Sequence, residues 1–217
     1  LLGSRGLGDV YKRQGLFGMT HKVIATRDLQ VRGTLAGLDI NVLLLRYHND
    51  VCHMMKGKTY AEEVDYIVRH EKRNNFIKNM TLDLKGNTLV LFQFVEKHGK
   101  ELFEIIKKDA DKDRKVFYVS GEVDAKDREQ IRGIVETQKN AVIVASLGTF
   151  STGINIKNLH NIVFASPSKS QIKVLQSIGR GLRQSDDGSN TTLYDIADDM
   201  HVKSHLSLIH ISEPTRP

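Results

Sequence analysis

Cysteine, proline and long apolar runs are all scarce in this sequence. Cys52 is the single cysteine, which excludes an internal disulfide and is consistent with a reducing compartment such as the cytoplasm. The longest apolar run, Val42 to Leu45, is far too short to cross a membrane. Internal repeats and low-complexity tracts are also absent. The remaining composition, 40% hydrophobic and 27% charged, suits a globular protein with a real core, and the net charge of +6 favours polyanionic partners.

Both ends of the chain lack the periodicity of helices or strands. Residues 1–14 and 207–217 resemble translated sequencing-adapter sequence, and the second of these stretches holds two of the three prolines. The N-terminal stretch also lacks the sustained apolar segment of a signal peptide. We therefore expect both segments to be non-native and restrict the functional argument to the residues between them.

The remaining sequence alternates between strand and helix patterns. We predict strands where short apolar or alternating runs are bounded by turn residues, over Lys22–Thr26, Leu38–Tyr47, Thr88–Phe94, Lys115–Val119, Ala141–Ser146, Asn161–Ala165 and Thr191–Ile196. Met54–Lys58 is interpreted as a basic connector. We predict helices from capping residues and helical periodicity, opening at Thr59 and extending over Lys72–Leu84, Val95–Lys108, Asp124–Thr137 and Ser170–Arg183.

Alternating strands and helices of these lengths predict an α/β fold with a mainly parallel sheet covered on both faces. Binding sites in such sheets lie beyond the carboxyl ends of the strands. Phe92-Gln93 and Ser120-Gly121 end two predicted strands, so we expect them at the same edge as the predicted helix over Ser170–Arg183. We assign residues 15–84 to an inter-domain connector with the first strands and helices, and residues 85–206 to the core of the domain.

Two stretches carry the residue types of a phosphate site. On a helix, with about 100° per residue, Gln176, Arg180 and Arg183 share one polar stripe, and two guanidiniums so placed can grip phosphate. The loop over residues 147–155 contains small hydroxyl residues and two glycines, which leave backbone N–H groups accessible to an anion. A solvated amphipathic helix and an ordinary polar loop remain the alternatives when each stretch is taken alone.

Other apparent motifs fail on spacing. Gly57-Lys58-Thr59 ends like a phosphate-binding P-loop, but the required first glycine position is Cys52, so a helix cap is the better interpretation. The Gly179 to Gly181 pair lacks the third glycine of a dinucleotide fingerprint. His201 and His205, and the group His48, Cys52 and His53, lack the further ligands that a metal site needs.

Four segments, in order and spacing, resemble a known family. TLVLFQF, FYVSGEV, VIVASLGTFSTGINI and QSIGRGLRQ look like motifs IV, IVa, V and VI in the second RecA-like domain of superfamily 2 helicases. The combination of STGINIKNLHNIVFA with VLQSIGRGLR, and LLLRY and GKTYAEE upstream, is most similar to phage recombination helicases. The resemblance covers about residues 15–205 and implies a RecA-like three-layer fold.

The resemblance also implies roles for individual residues. Arg180 and Arg183 match the catalytic arginines that reach the γ-phosphate of ATP, and Gln176, Gly153 and Asn155 match cofactor-binding positions. Asn155 stands where Asp is commoner, which puts a charge-assisted ribose contact in doubt. Four further residues match positions that contact a nucleic-acid backbone: Gln93, Gly121, Ser146 and Thr149.

A complete Walker A sequence and the Asp-Glu-x-His or Asp-Glu-Ala-Asp strings are absent. The resemblance therefore implies that the ATP-binding N-terminal RecA-like domain, which would also hold Mg²⁺, is a partner outside this sequence. We expect the C-terminal half of an ATP-dependent DNA helicase acting on branched DNA in recombination and repair, inactive alone and cytoplasmic in an infected bacterial host. Its partners would be DNA or RNA and not a membrane. Another superfamily 2 motor, a non-catalytic nucleic-acid-binding module and a small-molecule α/β enzyme are the alternatives.

Overall fold

Six parallel strands organise the computed structural model, which describes residues 38–121, 133, 137–149, 158–167 and 190–200. The strands are β1 (Leu38–Arg46), β2 (Thr88–Phe92), β3 (Val116–Val119), β4 (Val142–Ser146), β5 (Asn161–Phe164) and β6 (Thr191–Asp199). They lie in the order β1-β6-β5-β2-β4-β3, and every neighbouring pair is parallel. The predicted parallel sheet is thus confirmed. The strand predicted over Lys22–Thr26 lies outside the described residues.

Helical segments connect the first strands. These are α1 (Asn49–Met55), α2 (Tyr60–Arg69), α3 (Glu71–Asp83), a π-helical turn (Val95–Gly99) and α4 (Lys100–Asp109). The helices predicted from Thr59, over Lys72–Leu84 and over Val95–Lys108 are confirmed within a few residues. The connector prediction was wrong at Met54 and Met55, which belong to α1. The helix predicted over Ser170–Arg183 lies outside the described residues, as does most of Asp124–Thr137.

Side-chain caps explain where these helices begin and end. Thr59 and Glu62 form a reciprocal capping box at the start of α2, so the Gly57-Lys58-Thr59 sequence is a helix start, as predicted. His70 caps α3 by accepting a hydrogen bond from the N–H of Arg73 at 3.2 Å. At the other end of α3, the Arg114 guanidinium donates to the carbonyl oxygens of Leu82 and Leu84, which the helix leaves unpaired.

The two faces of the sheet contribute to separate apolar clusters. Successive residues of one strand point to opposite faces, so Leu89 and Leu91 lie in one cluster while Val90 and Phe92 lie in the other. Helices α3 and α4 cover the second face through Ile77, Leu102 and Ile106, all fully buried. Strands buried on both faces account for the continuous apolar runs in the sequence. In the part of the chain that the structure describes, no helix is long and apolar enough to cross a membrane.

Asn87 fastens the amino edge of the sheet. Its amide group donates to the carbonyl oxygens of Gln138 and Asn158 and accepts from the N–H of Ala141, at 2.8–3.1 Å. Gly86 precedes it with φ of +86°, and a side chain there would collide with the His160 ring. A glycine is therefore required in this turn. The amino edge is therefore fixed by internal hydrogen bonds, whereas binding sites in parallel sheets lie at the opposite, carboxyl edge.

Candidate functional site at the carboxyl edge of the sheet

Three neighbouring strands end side by side at the carboxyl edge. Phe92 of β2 lies level with Ser146 of β4, and Val119 of β3 lies level with Ala145. Gln93 follows β2 directly and Gly121 follows β3 after Ser120, and both residues are exposed. The predicted convergence of these strand ends is confirmed, because parallel strands deliver their carboxyl ends to one edge.

Ser146 and Thr149 form the turn that leaves β4. The Ser146 hydroxyl accepts from the N–H of Thr149 at 3.2 Å and donates to its hydroxyl at 2.7 Å, so Ser146 caps a helical turn over residues 147–149. Helical structure thus begins at once where a loop was predicted. Both side chains are buried, with 7% and 6% exposed. Thr149 Oγ1 is also the atom nearest to the place of a Cβ on Gly121, at 3.8 Å, so β3 and β4 end in contact.

The backbone of Gln93 is held by Ser166, which lies two residues after the end of the neighbouring strand β5. Its backbone N–H donates to the hydroxyl of Ser166 at 3.1 Å, and the same hydroxyl lies 2.8 Å from Nδ1 of His98. Ser166 and His98 are buried, with 3% and 0% exposed. Burial, with a smaller contribution from Arg73, lowers the pKa of His98 to about 3, so the imidazole is neutral at neutral pH.

A buried ion pair lies behind this edge. Arg73 binds Asp198 through Nε at 2.8 Å and Nη2 at 2.9 Å, and its Nη1 donates to the carbonyl oxygen of Ala165 at 2.8 Å. The Tyr47 hydroxyl also donates to Asp198, at 2.8 Å. Burial and the Asp198 carboxylate raise the pKa of Tyr47, so it remains protonated. One guanidinium therefore joins α3 to the ends of β5 and β6.

A cavity of about 360 Å³ opens at the end of β1, next to Arg73. Arg46 and Lys72 are exposed on its wall, and His48 and His70 contribute further nitrogen atoms. The described lining contains no carboxylate. The cavity adds positive charge to the carboxyl edge, which is the sign that a polyanion requires.

Five of the nine predicted site residues lie outside the described part of the chain. They are Gly153, Asn155, Gln176, Arg180 and Arg183. The other four, Gln93, Gly121, Ser146 and Thr149, lie together as described above. In the described residues, no group of three His, Cys, Asp or Glu side chains could hold a metal ion.

Ser166, His98 and Arg73 were not predicted from the sequence. Ser166 could have been found, because it follows a predicted strand in the same way as Ser120 and Gly121 follow theirs. No local pattern distinguishes His98 or Arg73, since their partners lie 68 and 125 residues away along the chain.

Comparisons with known proteins show the family to which the chain belongs. A model of the helicase conserved C-terminal domain matches residues 71–185, more than half of the chain. The chain is 41% identical over 201 residues to the ATP-dependent DNA helicase uvsW of Enterobacteria phage T4. That alignment covers 91% of this chain and 39% of the phage protein, so the chain spans well under half of this relative.

Solved structures show the same fold. The crystal structure of T4 UvsW matches with a TM-score of 0.65 and 43% identity, covering 76% of this chain and 33% of that one. The Type ISP restriction-modification enzyme LlaBIII bound to DNA matches with a TM-score of 0.57 and 16% identity, covering 85% and 14% respectively. The second match is informative about the fold alone. The chain belongs to the helicase conserved C-terminal domain family, and its parallel sheet is the RecA-like fold of the superfamily 2 helicases.

Proposed function

We propose that this chain is the C-terminal RecA-like half of an ATP-dependent DNA helicase or translocase that remodels branched DNA in recombination and repair. The observation that carries the proposal is the meeting of Gln93, Gly121 and Ser146 at neighbouring strand ends, in a member of the helicase C-terminal family. The similarity to an ATP-dependent DNA helicase of phage T4 supports the choice of DNA.

Gln93 and Gly121 are the exposed members of the proposed nucleic-acid track. A glutamine amide can donate to phosphate oxygens, and a glycine lets a sugar–phosphate backbone approach closely. Ser146 and Thr149 form the buried turn directly behind them, which supports the exposed part of the proposed track. Contacts of this kind hold the backbone and carry no sequence preference. They suit a motor that must move along DNA of any sequence.

ATP would bind between this domain and an N-terminal RecA-like domain that holds Mg²⁺. The residues of this chain proposed to face the nucleotide are Gln176, Gly153, Asn155, Arg180 and Arg183. Their motif order in the sequence is the support for this assignment. Arg180 and Arg183 would donate to the γ-phosphate oxygens and stabilise the charge that develops there, an effect worth about 10³–10⁵ in rate in enzymes of this type.

The test is ATP turnover, with and without DNA, by this chain alone and by this chain joined to its N-terminal half. We expect no ATP turnover by the chain alone and DNA-stimulated ATP turnover by the joined protein. Arg183→Ala should abolish the turnover and change DNA affinity by less than about twofold. Arg69→Ala is the control, because Arg69 is an exposed arginine that pairs with Asp65 on α2.

The outcomes separate the alternatives. Turnover by the chain alone would contradict the division of the motor into two halves. Normal turnover in the Arg183→Ala protein would contradict the arginine assignment. If the joined protein binds DNA but does not hydrolyse ATP, the result would favour a non-catalytic binding module. Stimulation by RNA in place of DNA would indicate an RNA helicase.

A further inference from the structure

The end of β2 departs from a regular parallel ladder. The N–H of Ala165 donates to the carbonyl oxygen of Leu91 at 2.9 Å, which is a ladder bond. In a continuing ladder the next bond would join the N–H of Gln93 to the carbonyl oxygen of Ala165. Here that oxygen accepts from Arg73, and the N–H of Gln93 donates to the hydroxyl of Ser166 instead. A side chain therefore replaces the backbone acceptor at the residue that begins the loop.

His98 determines how the Ser166 hydroxyl is oriented. Its Nδ1 lies 2.8 Å from Ser166 Oγ, and its ring is fully buried and neutral. If Nδ1 is the acceptor, the Ser166 O–H points at His98 and an oxygen lone pair remains for the Gln93 N–H. The opposite tautomer would leave the Ser166 proton without an acceptor among these three groups. Both tautomers allow the two observed contacts, and only the first also gives the Ser166 proton an acceptor.

A π-helical turn places the His98 side chain next to Ser166. His98 lies in the π-helical turn, where the N–H of Gly99 donates to the carbonyl oxygen of Phe94 at 2.8 Å. The extra residue of a π turn shifts side chains relative to a regular helix. His98 Nε2 is buried without a hydrogen-bond partner in the part of the chain that the structure describes. Burying a nitrogen atom without a hydrogen bond costs free energy, and the hydrogen bond between His98 Nδ1 and Ser166 offsets part of this cost.

We propose that Ser166 and His98 are positioning residues for Gln93, which fix the backbone at the end of β2 so that the Gln93 side chain faces the nucleic acid. This inference rests on the proposed function, because it takes Gln93 as a nucleic-acid contact. It adds to the proposed motor Ser166, which follows β5, and His98 of the π-helical turn, and it assigns neither residue a contact with the DNA.

The first test measures whether Ser166 fixes the Gln93 backbone. Amide hydrogen exchange at Gln93, followed by NMR in the full chain, should be about threefold to tenfold faster in Ser166→Ala, as expected for one lost hydrogen bond. Ser166→Thr keeps the hydroxyl and should restore slow exchange. Thr81→Val is the matched control, because Thr81 is a fully buried hydroxyl without a partner among the described residues. Unchanged exchange in Ser166→Ala would overturn the inference.

The second test measures whether the effect on DNA passes through Gln93. Affinity for a short fluorescein-labelled single-stranded DNA should fall by about threefold to tenfold in Gln93→Ala and in Ser166→Ala. The double variant should bind no more weakly than Gln93→Ala alone, because the side chain that Ser166 positions is then gone. Losses that multiply would mean that Ser166 acts elsewhere, and would overturn the inference.

His98 is tested in the same assay. His98→Asn can still accept from Ser166 and should bind DNA more tightly than His98→Leu, which cannot. Equal affinities of the two variants, with both folded by their thermal midpoints, would remove His98 from the inference. A wild-type chain without affinity for DNA would overturn the proposed function, whereas the exchange rate at Gln93 would still decide whether Ser166 fixes its backbone.

Discussion

Arg73 and Asp198 form a two-bond ion pair inside the domain, with both side chains almost completely excluded from solvent. The pair joins the first turn of α3 to the end of the sheet strand that comes last in the described chain. Buried charges are costly unless they are fully hydrogen-bonded, and here Tyr47 and the Ala165 carbonyl complete the set. The pair therefore fixes the geometry of the carboxyl edge and is sensitive to the loss of either partner.

Arg73→Ala should lower the free energy of unfolding by about 3–5 kcal/mol, because it leaves the Asp198 carboxylate buried without its cation. Urea unfolding followed by circular dichroism measures this. Arg69→Ala is the comparison, since it breaks the pair with Asp65 in which the Arg69 side chain is 60% exposed. That loss should stay below about 1 kcal/mol. Similar losses for the two variants would contradict the importance of burial.

Gly99→Ala should destabilise the chain by about 1–3 kcal/mol, because the added methyl group would overlap the buried ring of Phe92. Thermal unfolding measures the loss, and Phe92→Leu in the same chain should recover part of it by making room. Gly148→Ala is the control, since nothing lies within 4 Å of the place of its Cβ. An unaffected Gly99→Ala protein would show that the π-helical turn can move away from β2.

The His98 imidazole should make the domain less stable in acid. Its pKa is lowered from 6.5 to about 3, so below pH 6.5 the unfolded chain binds a proton that the folded chain does not. Stability should then fall as the pH falls, by at most about 1.4 kcal/mol per pH unit between these two values. His98→Gln removes this contribution. The urea midpoints of the variant should differ less between about pH 7 and about pH 5 than those of the wild type. Equal pH slopes would contradict the burial of a neutral ring.

Gln93→Ala should weaken binding to unrelated DNA sequences by the same factor, about threefold to tenfold for a lost hydrogen bond. The dependence of affinity on salt should not change, because glutamine is uncharged and releases no counterion. Fluorescence anisotropy with two oligonucleotides over a salt series measures both quantities. A loss confined to one sequence would indicate base contacts instead of backbone contacts.

The sheet and most helices could be predicted because their signals are local. The pair Thr59 and Glu62 predicts the start of α2, and the apolar runs of β2 and β4 predict buried strands. Helix α1 was missed because its N-cap is His48, a residue outside the usual Ser, Thr, Asp and Asn set. The Thr88–Phe94 strand was predicted two residues too long, since the hydrogen bond from Gln93 to Ser166 ends the ladder before its apolar pattern ends.

The residues of the candidate site also divide into those that local sequence patterns predict and those that they do not. Gln93, Gly121, Ser146 and Thr149 could be placed at one edge because parallel strands impose it. The bond between Ser166 and His98 depends on strand order and on the extra residue of a π-helical turn, and neither is written in a local pattern. The positions of Gly153, Asn155, Gln176, Arg180 and Arg183 stay predictions from motif order.

The parallel pairing of β1 with β6 also determines when the domain can be completed during synthesis. Leu38 pairs level with Thr191, so the first described strand cannot enter the sheet until the last one has left the ribosome. Until β6 is synthesised, the apolar run of β1 has no strand to pair with, and Arg73 has no Asp198 carboxylate to bind. Contacts so distant along the chain form late and slowly. A nascent chain that stalls before β6 would therefore expose an unpaired apolar strand, together with an arginine that is buried only in the complete domain. Such a chain would be a substrate for chaperones or proteases.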